Sequence, residues 1–233
     1  MTCWAYYPGP DEVGRAPEEL LRHSIGVVEY MFNNLRRITI PVIRKVSIIL
    51  GVSEDLVHDA VLLSGLLHDL GKVCACYQEK PWEGFSGHWL LSAGIVYNII
   101  TNPLLKTPVD TKMLTHLFVY PILLHHYAQT DLIMTMRRTI MDSIRLHSDC
   151  TEPVRGLITY GLGRIRTGIG TDILNALLED LSDGDLVVFP IPDQVWGEFT
   201  NRLFDPRRLA SMVIAGLLNE ADGTIAKMNR NIR

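Results

Sequence analysis

From Pro17 onward, Leu20, Leu21, Ile25, Val28 and Met31 or Phe32 recur at steps of three and four residues. That spacing predicts a helix with one buried face, and proline suits its first position. His23 falls inside this helix. A short apolar run from Ile40 to Leu50 is closed by Gly51, and Ser53 followed by Glu54 and Asp55 then opens a second helix, with a capping hydroxyl and acids matched to the helix dipole. This helix ends at Gly71, and its last residues read LLHDLGK. YQEKPWEGFSG at 77 to 87 has the chemistry of a loop, after which HWLLSAGIVYNII resumes helical periodicity from His88 until Asn102-Pro103 stops it. Asp110 can cap the next helix, which runs through Pro121, where a bend is expected, to the pair His125-His126.

Further helical patterns cover roughly 131 to 147, 153 to 166, 172 to 181 and 193 to 204. A last helix has Asp205 as cap, Pro206 at its first position and the apolar series Leu209, Met212, Val213, Leu217, with Asp222 near its end. The best strand signal, LVVFPIP at 186 to 192, contains two prolines and reads as an edge or extended loop. The prediction is an all-α helical bundle with few or no short strands, in one domain over residues 1–233, since neither repeats nor a linker divide the chain.

Composition narrows the function classes. With 47% hydrophobic and 21% charged residues the chain can bury a sizeable core. A formal charge of −4 argues against nucleic-acid binding by bulk electrostatics and leaves room only for local contacts. Cys3, Cys74, Cys76 and Cys150 form no CxxC pair and no dense framework, which suits a reducing compartment. Cys74-Ala-Cys76 reads as packing, with a structural zinc site as the alternative. No stretch reaches the ~18 apolar residues of a membrane span, and no basic segment leads into an apolar run at the start, so a cytoplasmic protein without membrane contact is expected.

The chemistry lies in the histidines. His58 and His68 are ten residues apart, about 280° around a helix, and His116 and His125 stand on opposite sides of any straight one. His58, His116 and His147 therefore read as structural. His23, His68-Asp69, His88, His125-His126 and Asp222 each occupy a helix or helix end otherwise rich in apolar residues. A buried aspartate calls for a neutralising partner. A divalent cation would serve, and mixed imidazole and carboxylate donors favour transition metals over calcium. Taken singly, each residue reads more readily as an isolated core histidine or helix cap than as a ligand.

In this order, however, His23, the HD pair at 68 to 69 and Asp222 reproduce the His...HisAsp...Asp pattern of the HD phosphohydrolase superfamily. HDLGK at 68 to 72, FSGHWLLSA at 85 to 93, HH at 125 to 126 and LLNEADGTIA at 217 to 226 extend the likeness: the chain resembles the HD nuclease of type I CRISPR interference. Lacking a GxxxxGK[ST] loop and the length for a helicase, it resembles the separate, archaeal-style nuclease subunit. The resemblance implies an HD-domain bundle and a metal-dependent nuclease that hydrolyses phosphodiester bonds of single-stranded DNA through a two-metal-activated hydroxide in antiviral defence. It implies two divalent transition-metal ions (manganese, cobalt, nickel or iron, with magnesium less suited), one on His23, His68, Asp69 and Asp222. The second would share Asp69 and add His88, His125 and His126. Adjacent helical residues diverge by about 100°, so His125 and His126 reach one ion only if the helix is distorted there.

The same resemblance implies single-stranded DNA, a crRNA-guided surveillance complex and a separate helicase subunit as partners. Asp69 is the expected catalytic bridge. Lys72 can place positive charge on a phosphate oxygen or simply satisfy a helix end. Trp82 and Trp89, with Tyr77 and Phe85, can stack unpaired bases or lid a core. The alternatives are an HD phosphohydrolase acting on nucleotides or another small phosphate ester, and a non-catalytic module that keeps the fold.

Overall fold

The computed structural model describes residues 2–105, 107–126, 143–182, 185–187 and 205–230. It is an all-α bundle carrying two small two-stranded antiparallel ribbons. Strand β1 (Trp4–Tyr6) pairs with β2 (Glu18–Glu19), which leads directly into α1 (Leu20–Glu29) and a π-helical turn (Tyr30–Asn34). Helix α1 buries Leu20, His23, Ser24, Val27 and Val28, the stripe its periodicity predicts. The predicted start at Pro17 is three residues early, because Glu18 and Glu19 are drawn into pairing with β1.

Helix α2 (Arg36–Leu50) ends where Gly51 adopts φ +66°, a conformation that glycine reaches without a Cβ penalty. Helix α3 (Glu54–Leu67) starts as expected, with the Ser53 hydroxyl accepting from the Leu56 amide. Every residue from Leu56 to Leu67 is buried, so α3 is the central helix of the bundle. It gives way to a 3₁₀ turn (Leu70–Val73), the short α4 (Ala75–Gln78) and a second 3₁₀ turn (Pro81–Glu83) before α5 (His88–Thr101).

Then come α6 (Thr111–Leu114), a π-helical turn (Thr115–Val119) and α7 (Tyr120–Leu124). The expected bend at Pro121 takes the form of that π turn just ahead of it, and the helix is already over at Leu124. The pattern at 131 to 147 lies mostly outside the described residues, but its end is strand β3 (Ser143–Arg145) and not helix. Helices α8 (Thr151–Leu162) and α9 (Gly168–Ser182) match the patterns at 153 to 166 and 172 to 181, and β4 (Asp185–Val187) pairs with β3. The pattern at 193 to 204 lies outside the described residues. The last helix, α10 (Pro206–Arg230), carries Asp222 eight residues before its end.

The cysteines depart from expectation. Cys3 is disulfide-bonded to Cys150, tying β1 to the turn that opens α8, and Cys74 is bonded to Cys76. Among the described residues no cysteine is free, and no helix is long and apolar enough to cross a membrane. The three histidines read as structural behave so. His58 lies against the Phe32 ring and beside Asp59, His116 contacts the Ser211 hydroxyl, and His147 accepts from the Asp149 amide.

Candidate metal centre

Two glycines allow the donor helices to close on one another. A Cβ at Gly65 would stand 2.8 Å from a Val28 methyl, so its absence lets α1 lie against α3 and brings His23 to the end that carries His68. At Gly71 the approach is closer still: a Cβ would meet the His88 carbonyl oxygen at 2.1 Å. There the Gly71 amide donates to the Ser92 hydroxyl at 2.8 Å, and that hydroxyl donates to the His88 carbonyl at 2.9 Å. The glycine after the HD pair thus docks the first turn of α5 on the end of α3 and delivers His88.

His23, His68 and Asp69 form one group of donor atoms, and His88, His125 and His126 form another, each within 4.8 Å mutually. Either buried group could hold a metal ion. Asp222 joins the first group, with Oδ1 3.1 Å from His23 Nε2 and 3.9 Å from His68 Nε2. Asp69 faces both: Oδ2 lies 3.5 Å from the Nε2 atoms of His23 and His68, while Oδ1 lies 3.0 Å from His88 Nε2. All the predicted donors therefore converge.

The ring orientations follow from local hydrogen bonds. A carbonyl oxygen only accepts, so the Nδ1–H groups of His68, His88 and His125 donate to Gly65, Phe85 and Ile122 respectively. His23 Nδ1–H donates to Glu18 Oε1 at 2.8 Å. In His68, His88 and His125 the carbonyl fixes the proton on Nδ1 and leaves the Nε2 lone pair pointing inward, the arrangement expected of a metal-ligating imidazole. Among the described residues His88 Nε2 and His125 Nε2 are buried without a hydrogen-bond partner. For His88 the Asp69 oxygen is near enough for an ion pair but poorly aligned for a hydrogen bond. Two buried lone pairs left unmatched are costly unless a cation takes them.

Burial also keeps these rings uncharged. It pushes His88 down to about 4, helped by Lys72, and holds His68 and His125 below the usual imidazole range. His23 differs. Burial again opposes its charge, but hydrogen bonds to Asp222 and Glu18 and the charge of Asp69 outweigh it and raise His23 to about 9. Burial works against the Asp69 anion too, yet Lys72, His68 and His88 keep its carboxyl well below the normal value.

Helix α7 stops at Leu124, and His125 and His126, in the turn beyond it, both reach the same group. Lys72 is buried, its ammonium donating to Asp69 Oδ2 at 2.7 Å and to the Ala5 carbonyl at 2.9 Å. Beside the donors opens a cleft of about 570 Å³, bordered by Tyr6, Lys72, Trp82, His126, Asp222 and Arg230. Trp82 is half exposed on its rim. Trp89 is 1% exposed and packed in the core, so it borders the cleft without offering a ring face to a base.

Sequence reasoning missed Glu18. It is 3% exposed, and besides His23 it accepts from Asn229 Nδ2 at 2.7 Å and Arg230 Nε at 2.8 Å. Placing a helix start at Pro17 hid it. Only in the extended β2 does Glu18 turn inward to meet a ring five residues on. No protein-family model matches the chain, and no curated protein matches it.

Proposed function

We propose that the protein is a metal-dependent nuclease of the HD type, cutting single-stranded DNA as the stand-alone nuclease subunit of type I CRISPR interference. The observation that carries this reading is Asp69, whose two oxygens face separate clusters of inward-pointing nitrogens. Such a carboxylate suits two cations sharing one ligand, a centre suited to phosphodiester hydrolysis. His23, His68, Asp69 and Asp222 would hold one ion, and Asp69, His88, His125 and His126 the other. Nitrogen-rich donors favour manganese, iron, cobalt or nickel over magnesium. When bound, the pair supplies an activated water and neutralises charge on the displaced phosphate oxygens.

The chain's own residues do the rest. Nδ1–H bonds hold the imidazoles in their ligating orientation, and Lys72 fixes the Asp69 carboxylate by donating to Oδ2. The cleft admits a strand from one side, with Trp82 available to stack a base. Among the described residues no element offers a means of separating a duplex, and the proposed substrate is a strand already displaced by a crRNA-guided surveillance complex and threaded by a separate helicase subunit in the cytoplasm.

The test is incubation of the full chain with circular single-stranded DNA, and separately with mononucleotides, in manganese, cobalt or nickel. Opening of the circle supports the nuclease reading. Phosphate release from mononucleotides with intact circles would replace it with a small-ester hydrolase.

A further inference from the structure

Glu18 connects the donor cluster to a residue with no assigned task. Its Oε1 holds His23, and its Oε2 accepts from Arg230 Nε. Arg230 stands on the cleft-facing side of α10, where Asp222, Ala226 and Arg230 follow one another at four-residue steps. Eight residues at ~1.5 Å each put the Arg230 Cα ~12 Å along the helix from that of Asp222. The surface between is low, since Gly223 and Ala226 project almost nothing into the cleft.

Two contacts preorganise the Arg230 side chain. Glu18 fixes Nε, and the guanidinium carbon lies 4.4 Å from the centre of the Tyr6 ring. A guanidinium held in this way through Nε and one face still presents its terminal amino groups as a fork matched to phosphate oxygens. By contrast the cleft's other cation near the donors, Lys72, is committed to Asp69. The surface that a strand would follow away from the metals therefore has its anchored cation at Arg230.

We propose that Arg230 is a substrate-positioning residue, pairing with a backbone phosphate that flanks the scissile one in a single-stranded nucleic acid, with Glu18 and Tyr6 holding it in place. The inference rests on the nuclease reading for its substrate. It assigns the far end of the cleft to strand binding and gives Glu18 a second duty beyond orienting His23.

The test uses the full chain in EDTA, so that nothing turns over. Binding of a fluorescent single-stranded oligodeoxynucleotide about ten residues long is followed by anisotropy at several salt concentrations. Arg230→Gln should weaken binding about tenfold and reduce the salt slope by about one. With metal saturating, so that the Glu18 contact shared with His23 does not limit loading, its hydrolysis of bis(p-nitrophenyl) phosphate, a diester too short to span the cleft, should change less than its strand affinity. On oligonucleotides KM should rise while kcat holds. Glu18→Gln should weaken both strand and metal binding.

Equal strand affinity and equal salt slope in wild type and Arg230→Gln would overturn the proposal. So would an equal loss of that short diester's hydrolysis in metal-saturated Arg230→Gln, which marks a structural role. Arg230-dependent binding of a mononucleotide as tight as that of the strand would overturn the strand assignment. Loaded wild-type protein that binds strands through Arg230 but cuts none would sink the nuclease reading and leave the subsite standing. Cleavage that is indifferent to Arg230 does the reverse.

Discussion

The two halves of the donor cluster meet at one aspartate but are built on different principles. On one side His23 and His68 face two carboxylates, and a third, Glu18, stands behind His23. On the other, three imidazoles converge beside Asp69, and two of their inward nitrogens have no hydrogen-bond partner among the described residues. The first half can remain intact without metal by keeping a proton on His23, which its neighbours raise to about 9. The second has no such refuge, since burial drives His88 to about 4 and leaves its lone pair bare. A site rich in acids tolerates being empty, whereas a site of buried neutral imidazoles depends on a cation to satisfy it.

The largest expected effect comes from removing what the halves share. Asp69→Asn should abolish hydrolysis, by more than the ~10²–10³-fold lost with a single charge-stabilising group, and should lower metal content on both sides while circular dichroism stays helical. Asp69→Ala adds a cost, because it leaves Lys72 buried without its partner, worth on the order of 3–5 kcal/mol in thermal or denaturant unfolding. Asp69→Asn protein with wild-type turnover would end the metal interpretation.

Separating the halves comes next. Wild-type protein saturated with cobalt or manganese should bind about two ions by elemental analysis, and His88→Ala or His125→Ala should keep the ion of the acid-rich half alone. His23→Ala should keep the other. Activity in each should drop on the order of a hundredfold. Saturation of the wild type at one ion, unchanged in His88→Ala, would reduce the two halves to one.

Glu18→Gln should weaken metal binding in the acid-rich half by about 10–100-fold, the range found when a carboxylate behind a ligating histidine is lost, and leave the imidazole half unaltered. Calorimetric titration of Glu18→Gln in the His88→Ala and His23→Ala backgrounds checks this, and an equal loss in both would contradict it. Counted per unit, the smallest effect is in pH. A cation that takes His23 Nε2 must displace its proton, so affinity in the acid-rich half should climb about tenfold per unit from pH 7 towards 9. His88, lowered to about 4, is already neutral there, and the imidazole half should stay level. Equal slopes for the two single-site proteins would remove the distinction.

Much of this contrast was legible beforehand, and the exceptions share a cause. Helix boundaries at Gly51 and Ser53 and the donors His68, Asp69 and His88 could be read because caps and side-chain types are local properties. The meeting of His125 and His126 could not, because the periodicity carries the helix through the pair, whereas α7 ends at Leu124. Glu18 was hidden for a related reason: its direction is set by pairing with a strand twelve or more residues away. Trp89 erred in the opposite sense, since periodicity cannot say that the face of α5 bearing it would be covered. The pairing of Cys3 with Cys150 spans a separation of 147 residues that no spacing rule reaches.

The placement of Asp222 on the last described helix has a consequence for the protein's birth. During synthesis His23, the HD pair and His88 emerge early, and the helices carrying them can pack as soon as they leave the ribosome. Asp222 follows His23 only about 200 residues later, and α10 brings with it a wall of the cleft and both side chains that secure Glu18 from behind. A ribosome-bound intermediate thus carries six of the seven donors without a closed centre. On the proposed nuclease reading, competence to cut would be acquired only once α10 has been made, so that a chain aborted before α10 would spare the DNA of the cell that makes it.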